Sequence, residues 1–399
     1  CTPDPSLTAP PTAPAPAELE AALGAGVVDP RLTATDYGVS IWVEGYGEVA
    51  AHEPDRPLLP ASNQKILTGM GALAVLGADA TLSTTVRATG PLADGTITGD
   101  LVLAAGGDPT LATNGPHSLD ALAAQVRAAG VIRVTGALVV DESRYDTARR
   151  AAGWQDWQVP AYAGSLSALM VDRNRHRGDP AFLADPALGN AELFRAALAR
   201  HGVAVGGPTT YGATPAGAQV LGSLTSAPMS QLVADTLLRS DNMMAELLVK
   251  EIGLQARGTG STAAGLAAIA GTLSGALCIP LTGIDDDGSG LSRADLRSPR
   301  EWRTLLQAAR SQPWWQQFDT SLPLAGRSGT LAGRFRGTAA EGIVRAKTGT
   351  IIGGVALSGY GTTTAGRRFV FSVVANGPAA GGAASAIDAL VATVAGWPY

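Results

Sequence analysis

The spacing of apolar residues changes several times along the chain and predicts both strands and helices. Alternation over Asp36–Glu44 predicts a half-buried strand, which turns back into a second strand after Gly47. Apolar residues then recur at helical spacing from Ile66 onwards, which predicts a buried helix that Ser62 opens and that ends near Gly77. The folded part of the chain therefore begins with a hairpin followed by a buried helix.

A change of pattern near residue 81 predicts an inserted domain. Short strand-like runs surround two helical runs there, and we expect strands at Leu82–Arg87, Asp100–Ala104 and Arg133–Val140 and helices at Leu119–Ala129 and Glu192–His201. The sequence thus predicts a smaller α/β domain over residues 81–224. It interrupts a larger, discontinuous domain over residues 17–80 and 225–399.

The last part of the chain returns to helices and then to strands. The triplet Ser240-Asp241-Asn242 interrupts an apolar helical stretch, and polar groups there are costly unless satisfied, which predicts a helix junction opening on a cleft. Three later runs predict an antiparallel meander, closed by a helix: Ile343–Gly349, Val355–Gly361, Arg368–Ala375 and Ala383–Val394. The fold class is α/β (α+β), an antiparallel sheet flanked by helices.

Composition narrows the class of protein. The 399 residues are 46% hydrophobic and 16% charged, as in a globular protein with a substantial core. A net charge of −5 with interspersed signs excludes a basic stripe for nucleic acid. No run of about twenty apolar residues is present, so we expect no membrane-spanning segment.

The first sixteen residues have a composition of their own. Residues 1–16 are rich in proline and predict a disordered tether. Cys1 ahead of such a tether resembles the lipidated cysteine of bacterial lipoproteins after removal of the signal peptide. The alternative is a processing boundary that happens to fall at Cys1. The lipoprotein interpretation predicts an extracytoplasmic protein that contacts the membrane only through a lipid on Cys1.

Ser62 and Lys65 form a candidate catalytic pair. Residues three apart on a helix share a face, so the Lys65 amine is expected over the Ser62 hydroxyl. A serine hydroxyl becomes nucleophilic when a neighbouring base takes its proton, and an amine of lowered pKa can be that base. An N-cap role for Ser62 is the alternative. The chain contains only three lysines against 26 arginines, which favours a functional Lys65 because guanidinium cannot act as a base.

Two further motifs follow in a meaningful order. Ser240-Asp241-Asn242 and then Lys347-Thr348-Gly349 complete the set Ser-x-x-Lys, Ser-Asp-Asn, Lys-Thr-Gly, which is typical of penicillin-binding proteins and class A β-lactamases. In this chemistry Ser62 attacks an acyl carbon, and the backbone N–H groups of Ser62 and Thr350 hold the oxyanion. Ser240 relays a proton, and Asn242 holds Lys65 and a substrate amide. Lys347, Thr348 and Thr350 bind a carboxylate. This mechanism needs no histidine, metal or cofactor.

The chain resembles the peptidase S13 family of D-alanyl-D-alanine carboxypeptidases and endopeptidases, the class C low-molecular-weight penicillin-binding proteins. Beyond the three motifs, the resemblance depends on the stretches Gly106–Leu111, Tyr162–Leu169, Asp287–Arg293 and Leu357–Tyr360. It implies a penicillin-binding-protein/β-lactamase-like transpeptidase fold. It also implies peptidoglycan stem peptides as substrates and β-lactam antibiotics as covalent inhibitors.

The resemblance also implies roles for particular residues. Ser62 is the acylated serine and Lys65 its base, while Ser240, Asn242, Lys347, Thr348 and Gly349 complete the site. The family binds the diamino acid side chain of the stem peptide near the domain junction. Arg293 is the candidate for that role and Asp141 a second one, and a structural ion pair is the alternative for both. Family members commonly carry a longer insertion with a further small domain, which we expect to be missing here.

Two other functions share these motifs. A β-lactamase needs a carboxylate-activated water for deacylation, and no Glu-x-x-Leu-Asn motif occurs between Ser62 and Ser240. A non-catalytic module that senses penicillin or binds the cell wall has no need of a base at Lys65. The sequence therefore favours a D-Ala-D-Ala carboxypeptidase, with D-Ala-diamino acid endopeptidase activity beside it.

Overall fold

A computed structural model of the chain describes residue 5 and residues 10–174 and 179–398. Cys1 and most of the predicted tether fall outside the described residues. Residues 10–16 form no regular element, and the backbone N–H groups of Thr12 and Ala13 donate to the Gly45 carbonyl at 2.9 and 3.2 Å. The described end of the predicted tether therefore lies against the first hairpin.

The main sheet is antiparallel and carries the predicted meander. Its strands are β1 (Asp36–Val43), β2 (Gly47–His52), β12 (Arg345–Ile351), β13 (Gly354–Thr362) and β14 (Arg368–Asn376). Their order in the sheet is β12-β13-β14-β1-β2. Strand β1 pairs with β14 in the register Asp36↔Asn376. The first hairpin and the final meander thus form one sheet, although they lie far apart in the sequence.

Helices cover both faces of this sheet. One face carries α1 (Ala17–Val27), α2 (Pro30–Thr33) and α12 (Ala380–Ala395), and the other carries α3 (Lys65–Val75), α7 (Met229–Arg239), α8 (Asn242–Arg257), α9 (Thr262–Leu277), α10 (Pro299–Ala309) and α11 (Trp315–Ser321). Neighbouring residues of β14 lie in different cores. Val373 packs on the face that carries α1, α2 and α12, and Val374 packs on the opposite face. Because successive side chains of a strand alternate, a sheet covered on both faces reads as a continuous apolar run.

Residues 83–225 leave this body and return to it through paired strands. A five-stranded sheet consists of β3 (Ser83–Ala88), β6 (Leu101–Ala104), β8 (Leu138–Asp141), β10 (Thr209–Tyr211) and β11 (Gln219–Thr225), in the order β10-β8-β6-β3-β11. A small sheet consists of β4 (Leu92–Ala93), β5 (Thr96–Ile97), β7 (Arg133–Val134) and β9 (Ala204–Val205), in the order β4-β5-β7-β9. We call residues 81–224 the inserted lobe, and its treatment as a separate domain remains a prediction.

Helices pack on the sheets of the inserted lobe, and two predicted elements there need correction. Helices α4 (Leu119–Ala128) and α6 (Pro186–Arg200) pack on these sheets, and the short helix α5 (Pro180–Ala184) contacts α6. The predicted strand Arg133–Val140 is two strands in different sheets, because Gly136 lies against Gly99 and leaves no room for a side chain. The helix predicted from Glu192 begins earlier, at Pro186, since the Asp185 side chain caps it.

The inserted lobe shares its hydrophobic core with the main body. Met243 and Leu247 of α8 and Leu291 of a following loop lie in the same core cluster as Leu103 and Phe194 of the lobe. Burial of this apolar surface stabilises the contact between the two parts. The lobe is therefore packed onto the helix that follows the Ser240-Asp241-Asn242 triplet.

No helix of the described residues is by itself long and apolar enough to cross a bilayer. The consecutive helices α8 and α9 meet the length and composition criteria only as a bent pair.

Candidate active site

Ser62 lies on a tight turn before helix α3 and not at the first residue of that helix. A 3-10 turn spans Ala61–Gln64, and α3 starts only at Lys65, so the predicted start at Ser62 is wrong by one turn. The Asn63 amide fixes the turn to the main sheet by donating to the Ser358 hydroxyl of β13 at 2.6 Å. A hydroxyl on an anchored turn before a helix keeps a defined position.

Strand β12 lies directly against this turn. A side chain at Gly349 would put a Cβ 2.6 Å from the Pro60 carbonyl oxygen, closer than real Cβ atoms approach. Glycine is therefore required here for the strand to reach the Ser62 turn. This contact brings the Lys-Thr-Gly motif beside the Ser-x-x-Lys motif.

The Lys65 amine is fully buried and has three oxygen neighbours. Its Nζ lies 3.0 Å from Ser62 Oγ, 2.6 Å from Asn242 Oδ1 and 2.5 Å from the Ser289 carbonyl oxygen. The amide and carbonyl oxygens can only accept hydrogen bonds. A neutral amine has two N–H donors and one lone pair, so donating to these two oxygens leaves the lone pair for the Ser62 hydroxyl.

Burial lowers the pKa of Lys65 to about 8, because the charged amine loses its hydration. Four carboxylates oppose this effect, in decreasing order Asp287, Asp241, Glu246 and Asp295. A substantial fraction of Lys65 is thus neutral in mildly alkaline solution. A free lysine would remain charged there.

The triplet Ser240-Asp241-Asn242 forms the predicted junction between two helices. Helix α7 ends at Arg239, Ser240 has a left-handed backbone (φ 55°), and the Asp241 carboxylate caps α8 by accepting the Met244 N–H at 3.0 Å. The junction points Asn242 at Lys65. The Asn242 amide nitrogen donates to the Tyr162 carbonyl of the inserted lobe at 2.9 Å.

Lys347 is the second buried lysine of the site. Its Nζ donates to Ser240 Oγ at 2.9 Å and to the Thr348 carbonyl at 2.8 Å. Burial lowers its pKa well below the ordinary value, and the charge of Lys65 lowers it further. The Thr348 hydroxyl lies 2.7 Å from that of Thr330, and Thr350 is exposed at the edge of the sheet.

The structure places the two candidates for side-chain recognition in different regions. Arg293 is exposed and donates to the Ile352 carbonyl at 2.8 Å, in the turn that follows β12. Asp141 lies within the inserted lobe and accepts the N–H and hydroxyl groups of Ser143 and Thr214. Arg293 therefore adjoins the strand of Lys347, whereas the Asp141 carboxylate holds a loop of the lobe.

Several neighbours of Lys65 were missed in the sequence. Ser289 contributes a backbone carbonyl, which no side-chain motif reveals, and Tyr162 does the same for Asn242. Both belong to stretches that carried the family resemblance, but the sequence assigned them no role. Burial raises the pKa of Glu246 to about 8 and that of Asp295 to about 10, with Asp287 adding to both. The runs Asp287–Arg293 and Tyr162–Leu169 were the sequence signals that could have pointed to the Ser289 and Tyr162 carbonyls.

Among the residues that the structure describes, no group of three or more His, Cys, Asp or Glu side chains is arranged to hold a metal ion. The cluster around Ser62 presents hydroxyl, amine and amide groups. Such a set suits acyl transfer through Ser62.

Known proteins resemble the chain in sequence and in fold. A D-alanyl-D-alanine carboxypeptidase of Actinomadura sp. strain R39 is 35% identical over 90% of this chain and 81% of its own length. Carboxypeptidase DacB of Mycolicibacterium smegmatis is 32% identical over 92% and 80%. Penicillin binding protein 4 (dacB) of Haemophilus influenzae superposes with a TM-score of 0.80 over 89% of this chain and 93% of its own, at 21% identity, which shows the fold.

A family model spans almost all of the chain. The model of the D-Ala-D-Ala carboxypeptidase 3 (S13) family matches residues 19–179 and 180–395. All three motifs lie within the matched ranges. The chain therefore belongs to the D-Ala-D-Ala carboxypeptidase 3 (S13) family.

Proposed function

We propose that this protein is a serine D-Ala-D-Ala carboxypeptidase that cleaves peptidoglycan stem peptides through an acyl-enzyme on Ser62. The observation that carries the proposal is the Lys65 amine, held 3.0 Å from Ser62 Oγ by two oxygens that cannot donate to it. Family membership supports the same activity.

The reaction begins with proton transfer between these two residues. Neutral Lys65 takes the Ser62 proton as Oγ attacks the carbonyl carbon of the penultimate D-Ala, and an oxyanion forms. The backbone N–H groups of Ser62 and Thr350 are the proposed donors to this oxyanion. The C–N bond then breaks, the departing D-Ala amine receives the proton, and water hydrolyses the Ser62 ester.

Ser240 and Lys347 act on the leaving side of the bond. The Ser240 hydroxyl is bonded to Lys347, and we assign it the relay of the proton to the departing amine. The terminal carboxylate of the substrate would lie among Lys347, Thr348 and Thr350. An anion there favours the charged form of Lys347 and so opposes the effect of burial on its pKa. Binding of substrate and charging of Lys347 are thus coupled.

Recognition of the stem peptide involves the edge of the main sheet. Arg293, exposed beside the turn after β12, is our candidate for binding the diamino acid side chain. The contacts of Asp141 with Ser143 and Thr214 support a structural role more than a binding role. Endopeptidase activity on cross-links needs room for a larger leaving group beyond Lys347, and we propose it as a secondary activity.

We also propose β-lactams as covalent inhibitors and the cell envelope as the location. A solved complex of Haemophilus influenzae penicillin binding protein 4 with a β-lactam shares this fold. Peptidoglycan as substrate implies an extracytoplasmic protein. A lipid on Cys1 would hold it at the membrane, and hydroxylamine-resistant acylation of Cys1 in mass spectra would support this anchor.

The direct test is the intact mass of the protein after incubation with benzylpenicillin. We expect one stable adduct on the wild type and none on Ser62→Ala. Ser223→Ala, which removes an exposed hydroxyl on β11, is the matched control and should form the adduct. Release of D-Ala from a peptide ending in D-Ala-D-Ala should follow the same pattern.

Other outcomes of this test would overturn the proposal. Penicillin consumed without an adduct would identify a β-lactamase. Penicillin left intact without an adduct, and no release of D-Ala, would identify a binding module. An adduct that persists in Ser62→Ala would place the nucleophile elsewhere.

A further inference from the structure

The loop after Gly288 folds around one buried carboxylate. The Asp287 oxygens accept the backbone N–H groups of four following residues, at 3.0, 2.5, 3.0 and 2.8 Å for Ser289, Gly290, Leu291 and Ser292. The Ser289 hydroxyl donates to the same carboxylate at 3.0 Å. A single side chain therefore determines the path of this loop.

That path delivers a carbonyl group to Lys65. The Ser289 carbonyl oxygen accepts a hydrogen bond from Lys65 Nζ at 2.5 Å. Gly288 is held on both sides, since its N–H donates to Glu246 at 3.0 Å and its carbonyl accepts from Thr68 at 2.7 Å. The loop is thus fixed between α8 and α3, and the Ser289 carbonyl has little freedom to move.

The inserted lobe supplies a further donor to the same carboxylate. The indole N–H of Trp154 donates to Asp287 Oδ2 at 2.8 Å, and this indole is only 6% exposed. Gln158 of the lobe donates to the Leu291 carbonyl at 2.9 Å. The lobe therefore reaches the loop that holds Lys65 without contributing a side chain to the reacting atoms.

We propose that Trp154 and Asp287 are positioning residues for Lys65. Trp154 holds the Asp287 carboxylate, and this carboxylate shapes the loop. The Ser289 carbonyl then accepts one N–H of Lys65, so that the lone pair of the Lys65 amine faces the Ser62 hydroxyl. This inference rests on the proposed acylation of Ser62 by way of Lys65. It assigns the inserted lobe a part in activating the serine. A lone pair turned away from Ser62 could not accept its proton.

Trp154→Phe tests the contact between the lobe and the loop. The substitution keeps an aromatic ring, although a smaller one, and removes the N–H donor. We expect the rate of acylation by a fluorescent penicillin to fall about tenfold or more, with the adduct still on Ser62. Trp157→Phe makes the same change in the same segment at a side chain that is 47% exposed, and should leave the rate unchanged.

Asp287→Asn adds a readout that a purely structural role would not change. Titratable groups on the surrounding elements face Lys65: the carboxyl groups of Asp287, Asp241, Glu246 and Asp295 raise its pKa where they are ionised, and Lys347 is the neighbouring amine. Removing the Asp287 charge should lower the pKa of Lys65. The midpoint of the pH profile of acylation then moves to lower pH, while the plateau rate falls because the loop is displaced.

The outcomes separate this inference from the proposed function. If penicillin does not acylate the wild type, the proposed function itself is contradicted. If the wild type is acylated and Trp154→Phe is acylated at the same rate, the inference is overturned while the proposed function stands. If Asp287→Asn does not fold, the result for Trp154→Phe alone decides the question. A lower plateau in Asp287→Asn without a shifted midpoint would mean a structural role only.

Discussion

A single buried amine, that of Lys65, is central to the chemistry proposed for this site. Lys65 is fully buried, and its neighbours Asn242 Oδ1 and the Ser289 carbonyl are acceptors only. Geometry and burial therefore act together on one residue. Burial lowers the pKa of the amine to about 8, and in its neutral form the two acceptors direct its lone pair.

Replacing Lys65 by arginine should abolish acylation. Lys65→Arg keeps the charge and the approximate length, but guanidinium cannot accept a proton at ordinary pH. We expect the rate of penicillin acylation to fall by at least about a thousandfold, as measured by fluorescence labelling. Lys250→Arg, at a buried lysine that pairs with Asp146, is the control. Normal labelling of Lys65→Arg would show that the base is another group.

Acylation should rise with pH through about 8. Lys65 must be neutral to take the Ser62 proton, and its pKa is lowered to about 8 by burial. Below that pH the amine is mostly charged, so the rate should fall about tenfold for each pH unit. Stopped-flow acylation between pH 5 and 10 measures this, with a melting curve at each pH as control. A flat profile between pH 6 and 8 contradicts the assignment.

At the scale of elements, the site depends on close contacts between backbone segments. The Ser62 turn lies between strand β12 and the loop after Asp287. A Cβ at Gly290 would come within 1.9 Å of the Ala61 carbonyl oxygen, and one at Gly349 within 2.6 Å of that of Pro60. The position of the serine is therefore defined by two glycines on neighbouring elements.

Gly290→Ala should displace Ser62. Gly290 and Gly366 have similar left-handed backbones, with φ of 78° and 81°, so alanine costs roughly 1 kcal/mol of conformational strain at either position. Only Gly290→Ala adds a collision, because no atom lies within 4 Å of a Cβ at Gly366. We expect a tenfold or greater loss of acylation rate in Gly290→Ala and a normal rate in Gly366→Ala. Equal rates in the two variants would refute this account.

At the scale of the whole molecule, the inserted lobe and the main body are joined by polar groups as well as by a shared core. Glu251 of α8 is 2% exposed and accepts hydrogen bonds from Arg144 at 2.6 and 2.9 Å and from Tyr145 at 2.9 Å. This junction fixes the lobe relative to the helix that begins at Asn242. We therefore expect movement of the lobe to alter the candidate active site.

Glu251→Gln should destabilise the protein. The change leaves the Arg144 charge without its anionic partner in a largely buried position, which costs about 2 kcal/mol or more of unfolding free energy. Urea unfolding measures this loss. Glu192→Gln, on the exposed side of α6 with a side chain 57% exposed, should stay within about 0.5 kcal/mol of the wild type. A Glu251→Gln variant as stable as the wild type would show that the junction is unimportant.

Much of the fold was predictable because it depends on local patterns. The strand and helix runs of the main body, the junction at Ser240-Asp241-Asn242 and the final meander follow from periodicity and are confirmed with small shifts of their ends. The errors were local as well. A glycine contact divides the strand predicted at Arg133–Val140, and a 3-10 turn delays the helix predicted at Ser62. The fold class and the resemblance to the S13 family are also confirmed.

The sequence alone determined the family, the fold class and the side chains proposed for catalysis, because motif order and hydrophobic periodicity are properties of the chain itself. Only the tertiary structure decided how Lys65 is oriented and how far its pKa falls. Its acceptors come from Asn242 and from the backbone of Ser289, more than 170 residues away along the chain. Backbone carbonyls and burial have no sequence motif, since they arise only when distant segments pack together.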